Sequence, residues 1–168
     1  MSAMTVRVLS AASYFQTQSL ARGLARFLLV LCVIFIFFAA TFPFDFSLPA
    51  QSSWDWNWNP HDPNHTDRTQ NILFFIPLGF AVAAMFFNPR RNRAAFQIVT
   101  ALIIGFVLTC TIESLQQYVS FRDPSLADIW CNTLGSVIGA GVYVFVGNRA
   151  MQTAARALIR LRPLATRP

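Results

Sequence analysis

The sequence predicts an all-α fold, an integral membrane bundle of four transmembrane helices with both termini cytoplasmic and an amphipathic helix on the cytoplasmic surface at the C-terminal end. Three observations predict it. The 168 residues are 55% hydrophobic and 12% charged, a balance that does not fit an ordinary soluble domain. The charges leave four stretches without Asp, Glu, Lys or Arg, namely Phe27 to Phe44, Thr69 to Pro89, Ala94 to Ile112 and Ile129 to Asn148, of 18, 21, 19 and 20 residues. A helix needs about 20 predominantly apolar residues to cross a hydrocarbon core about 30 Å thick, so each stretch can span once. Finally, the basic residues, all Arg, alternate in placement: eleven of the thirteen fall in the two termini and the loop around residue 91. Cytoplasmic loops collect Arg and Lys, which places those three segments inside.

Residues 1–23 read as a cytoplasmic tail in which Val6, Val8, Leu9, Tyr14 and Phe15 form a weak pattern for lying against the membrane surface. The first apolar run follows that tail and is long enough to be a span, so it is expected to stay as an anchor and not to be cleaved as a signal peptide. A four-helix domain covers residues 24–146, with spans at about 24–42, 71–87, 96–118 and 128–146. The basic tail is 147–168. The net charge of +6 then reflects topology and attraction to anionic lipid, and calls for no nucleic acid. Cys32, Cys110 and Cys131 sit in three different spans and read as small packing residues.

The outer loop, 43–70, is rich in Pro, Ser, Asn and Asp and is expected to lack extended secondary structure. Its centre, Trp54, Asp55, Trp56, Asn57, Trp58, fits an aromatic belt at headgroup depth better than a sugar-stacking platform. His61, Asp62, His65 and Asp67 are metal-ligand types, but Pro60 and Pro63 break the helix that would align them. No metal and no cofactor is expected.

Helix 2 carries Pro77 and Gly79, and a proline within a helix predicts a bend that opens space between helices. Helix 4 carries Gly135 and Gly139, a small-residue face that lets another backbone approach and would serve homo-oligomer contacts. Beyond it, Arg149, Arg156 and Arg160 share one side of the amphipathic C-terminal helix.

With this topology the strongly polar residues reach one depth on the outer side. Asp67 and Asn71 start helix 2; Glu113 and Gln116 end helix 3; Arg122 lies in the turn; Asp128 and Asn132 start helix 4. Each pair is three or four residues apart and shares a helix face. Asp67, Asp128 and Asn132 also suit helix N-termini, where capping alone would explain them. Glu113 is the only Glu, and an unpaired charge inside a span would cost at least about 2.5 kcal/mol. It must be paired, protonated or facing a wet cavity.

Taken in order, Asp67, Asn71, Phe75, Pro77, Leu78, Gly79, Glu113, Gln116, Arg122, Asp128, Asn132, Gly135 and Gly139 resemble the signature of the VanZ-like membrane proteins, over roughly residues 65–142. The resemblance implies a multi-pass protein of the bacterial plasma or inner membrane and, through the family's founding member, a link to teicoplanin resistance. Two functions compete. One is a non-enzymatic cleft, lined by Asp67, Asn71, Glu113, Gln116, Arg122, Asp128 and Asn132, that binds an envelope amphiphile: a lipid headgroup, a lipid-linked precursor or a lipoglycopeptide. The other is an intramembrane enzyme with Glu113 and Asp128 as acid and base and Arg122 stabilising an anionic substrate. No nucleophile elbow, metal cluster or phosphate loop supports the second. Membrane lipids are the expected partners. A conducting pore is disfavoured because spacing confines the polar residues that continue toward the inner side to Thr100, Thr109 and Thr111.

Overall fold

A computed structural model describes residues 3–47, 65–88, 93–119, 124–151 and 153. Four helices follow one another: α1 (Ala3–Thr41), α2 (His65–Met85), α3 (Ala94–Gln116) and α4 (Leu126–Val142), the last running on through a π-helical segment, Tyr143–Gly147. Among the described residues an isolated β bridge pairs Phe46 with Val119. Stretches long and apolar enough to cross a membrane lie in α1 (Arg22–Thr41), α2 (Arg68–Met85), α3 (Ala94–Gln116) and α4 with its continuation (Leu126–Met151). The exposed side chains agree, since Phe27, Phe35, Ile103, Trp130 and Phe145 all stand outward. An apolar exterior of that extent suits lipid and not water.

The first helix is longer than its composition suggests. It begins at Ala3, so the segment read as a tail is helical up to the span, and all 39 residues form one helix roughly 58 Å long at 1.5 Å per residue. Residues 3–26 are rich in Ala, Leu, Arg and Gln and contain no proline, so nothing stops a helix from propagating back from the span. Gln18 Nε2 donates to the Phe87 carbonyl at 3.1 Å, which ties this extension to the end of α2. Helix α2 also starts earlier than expected, at His65, two residues after Pro63. The Trp54–Trp58 segment, His61, Asp62 and the C-terminal arginines from Arg156 onward lie outside the described residues.

Helices α2 and α4 run parallel and touch through their backbones. An added Cβ on Gly135 would overlap the Ile72 carbonyl, one on Gly139 the Ile76 carbonyl, and one on Gly79 the Ser136 carbonyl. The small-residue face expected to serve a second copy of the chain is therefore occupied within the chain by α2. Pro77 lies inside an unbroken α2 and points outward, next to buried Leu78 and Gly79. Its missing N–H leaves the Leu73 carbonyl without a helical donor on the lipid-facing side. Helix α1 packs on α2 through Cys32 and Ile36 against Phe75 and Leu78, with Phe35 edge-on to Phe74 at 5.3 Å.

Candidate functional site

Antiparallel α3 and α4 meet along a seam of polar side chains. Asn132 Nδ2 donates to Thr109 Oγ1 at 2.9 Å, and one turn further into the bundle the Ser136 side chain lies on Gly105, where an added Cβ would overlap it. Thr109 thus faces Asn132 and Gly105 faces Ser136. The same register, carried one turn the other way, sets Glu113 opposite Asp128. The seam is enclosed: Thr109 and Ser136 have no exposed surface, Glu113 is 2% exposed and Asn132 3%.

Glu113 resolves the difficulty of a carboxylate within a span. Its Oε2 accepts the Ser125 backbone N–H at 2.9 Å. Ser125 is the N-cap of α4, with extended backbone (φ −130, ψ 136), and its own side chain accepts from the Ala127 N–H at 3.1 Å. In a capping box the carboxylate that takes the N-cap N–H comes from the third residue of the same helix. Here that role passes to Glu113, from a neighbouring helix. The anion consequently sits at the positive end of the α4 dipole, which favours it. Asp128, half-buried in the first turn of α4, shares that field.

The other expected site residues separate into groups. Asn71 is half-buried near the start of α2, and only the backbone of Asp67 is described. Gln116 does not face the seam: its Nε2 donates to the Ala40 carbonyl at 3.4 Å, closing the last turn of α1. Nearby, the Ser47 N–H donates to the Tyr118 carbonyl at 2.8 Å, so the ends of α1 and α3 are tied twice. Arg122 lies outside the described residues. Glu113, Asp128 and Asn132 are the expected residues that the fold brings together. Ser125 joins them unexpectedly, since the bond that recruits it crosses between helices and has no trace in sequence spacing. Among the described residues no three His, Cys, Asp or Glu gather as metal ligands would.

Polar groups also gather at the opposite end, contrary to the expectation from spacing. Gln97, 1% exposed, donates through Nε2 to the Ala83 carbonyl at 2.9 Å and accepts from Asn148 Nδ2 at 3.3 Å. The π-helical segment places Asn148 there, its backbone N–H reaching back to the Tyr143 carbonyl five residues earlier. Gln97 bonds the Ala83 carbonyl in the last turn of α2, which also accepts the Phe86 N–H, and Gln18 bonds the Phe87 carbonyl just beyond that helix. This second cluster is thus accounted for as helix capping. Val82, Ala101 and Ala140, each at most 1% exposed, belong to one apolar cluster. Thr100 and Thr111 add nothing to a path, because their hydroxyls donate to the Phe96 and Val107 carbonyls of their own helix.

A model of the VanZ/LLP1 family matches residues 25–147, most of the chain and all of the seam. No curated protein and no solved structure matches the chain.

Proposed function

The chain belongs to the VanZ/LLP1 family, a multi-pass membrane assignment that the four apolar helices support, and on that premise we propose that the Glu113 end of the bundle binds the headgroup of an envelope amphiphile. The candidate ligands are a lipid, a lipid-linked precursor or a lipoglycopeptide, and with the last of these the protein would contribute to glycopeptide resistance. The observation that carries the reading is the opposition of Glu113 and Thr109 on α3 to Asp128 and Asn132 on α4, which concentrates carboxylate and amide chemistry at one depth beside an apolar exterior. A headgroup meets the polar groups there while its chains lie along the exposed apolar side chains. The arginine distribution orients this end outward in a bacterial plasma or inner membrane, and leaves both termini in the cytoplasm.

The test is native mass spectrometry of wild type and Glu113→Gln, matched for thermal stability. Gln keeps an oxygen for the Ser125 N–H and removes only the charge. A lipid or lipid-linked glycan retained by wild type and lost in the variant is the expected result; equal occupancy overturns the reading. A second reading, an intramembrane enzyme, draws on the same opposed carboxylates, Glu113 and Asp128. It requires turnover to vanish in Glu113→Gln while binding persists.

A further inference from the structure

We infer that the headgroup taken at the Glu113 end carries a protonated primary amine, its N–H groups filling an acceptor that the fold buries without a partner. The inference rests on the headgroup-binding reading and specifies its chemistry.

The first observation is Asn132. Its Nδ2 is committed to Thr109 Oγ1, whereas its Oδ1 is buried and has no hydrogen-bond partner. Ser136 Oγ, one turn deeper, is equally buried and does not satisfy it. A carbonyl oxygen enclosed without a donor loses its hydration and receives nothing in return, so the residue gains most from a ligand that brings an N–H or O–H. The oxygens of a phosphate bring none.

The second observation is charge. All seven acidic residues, Asp45, Asp55, Asp62, Asp67, Glu113, Asp123 and Asp128, fall in or beside the two chain segments that connect α1 to α2 and α3 to α4. The described ends of both connections, Phe42 to Ser47 and His65, and Gln117 to Val119 and Pro124, lie at the Glu113 end. Only two of the thirteen arginines, Arg68 and Arg122, accompany them. Whatever pairs form among these groups, that end keeps an acidic surplus, which draws cations and repels a second anion. An ammonium answers both the charge and the unpartnered acceptor. A quaternary ammonium answers only the charge.

Two sources supply that chemistry, a phospholipid of the surrounding bilayer or an amine-bearing amphiphile that arrives from outside. The experiment separates them. The full chain is placed in nanodiscs containing equal parts of phosphatidylethanolamine, phosphatidylcholine and phosphatidylglycerol, and its bound lipid is read by native mass spectrometry. The first two lipids share their net charge and differ in N–H donors. Retention of phosphatidylethanolamine over phosphatidylcholine by roughly tenfold is expected, the ratio supplied by one hydrogen bond to a charged donor. In Asn132→Ala the preference should disappear.

If phosphatidylethanolamine is not enriched, octylamine is added to nanodiscs lacking it; uptake by wild type, lost in Glu113→Gln, supports the inference with an external source. Equal retention of all three lipids, with no octylamine uptake, overturns it, as does a preference for phosphatidylglycerol. If lipid of any headgroup is still lost in Glu113→Gln, the binding site stands and only the ammonium falls. If wild type holds no lipid at all, both fall. The wild-type comparison needs no variant, so a poorly folding Asn132→Ala leaves the test intact.

Discussion

At the residue scale, the bond between Thr109 and Asn132 separates a structural contribution from a functional one. Thr109→Val preserves shape and strips the acceptor, leaving Asn132 Nδ2 buried without a partner. The expected loss is about 1 to 2 kcal/mol in a reversible unfolding assay in detergent. Adding Asn132→Leu removes the orphan as well, so the double variant should recover most of that stability while losing any bound headgroup. Ser125→Ala is the complementary case. It deletes the hydroxyl that accepts from Ala127 yet keeps the N–H that reaches Glu113, so stability should fall by about 1 kcal/mol with lipid retention unchanged. If retention falls in parallel with stability, the seam is a packing feature only.

At the element scale, the glycines of α4 differ in what surrounds them. Gly139→Ala would drive a methyl into the Ile76 carbonyl of α2, and helices that touch through their backbones have no side chain to move aside. A loss of about 1 to 3 kcal/mol is expected. Gly141→Ala meets nothing within 4 Å and should be neutral or slightly stabilising through helix propensity. Thermal melts of the two variants side by side check both. The four spans were legible from charge-free runs because lipid forbids charge over a fixed length, and spacing of three or four gave the faces of Asn132, Gly135 and Gly139. The extension of α1 to Ala3 was not legible, since the composition shift near Leu24 marks where the helix becomes apolar and not where it begins. The Glu113 to Ser125 bond and the Gln97 to Ala83 bond were hidden because each joins a side chain to another helix's terminus, a pairing that exists only once the helices are packed.

At the scale of the whole molecule, the parity of four spans and the arginine bias make one joint prediction, that both ends of the chain share the cytoplasm. A fluorescent protein fused to the C-terminus should fluoresce, and an alkaline phosphatase fused there should be inactive; the reverse pattern would turn the Glu113 end toward the cell interior. The shared seam also bears on how the protein is made. Released singly into lipid, α4 would expose Asp128, Asn132 and Ser136, and α3 would expose Glu113, Thr109 and Gln97. Each segment is long and apolar enough to cross hydrocarbon, but its polar edge carries a cost until the two are joined. Insertion of α3 and α4 as one hairpin, with their polar edges already joined, would spare both segments that exposure.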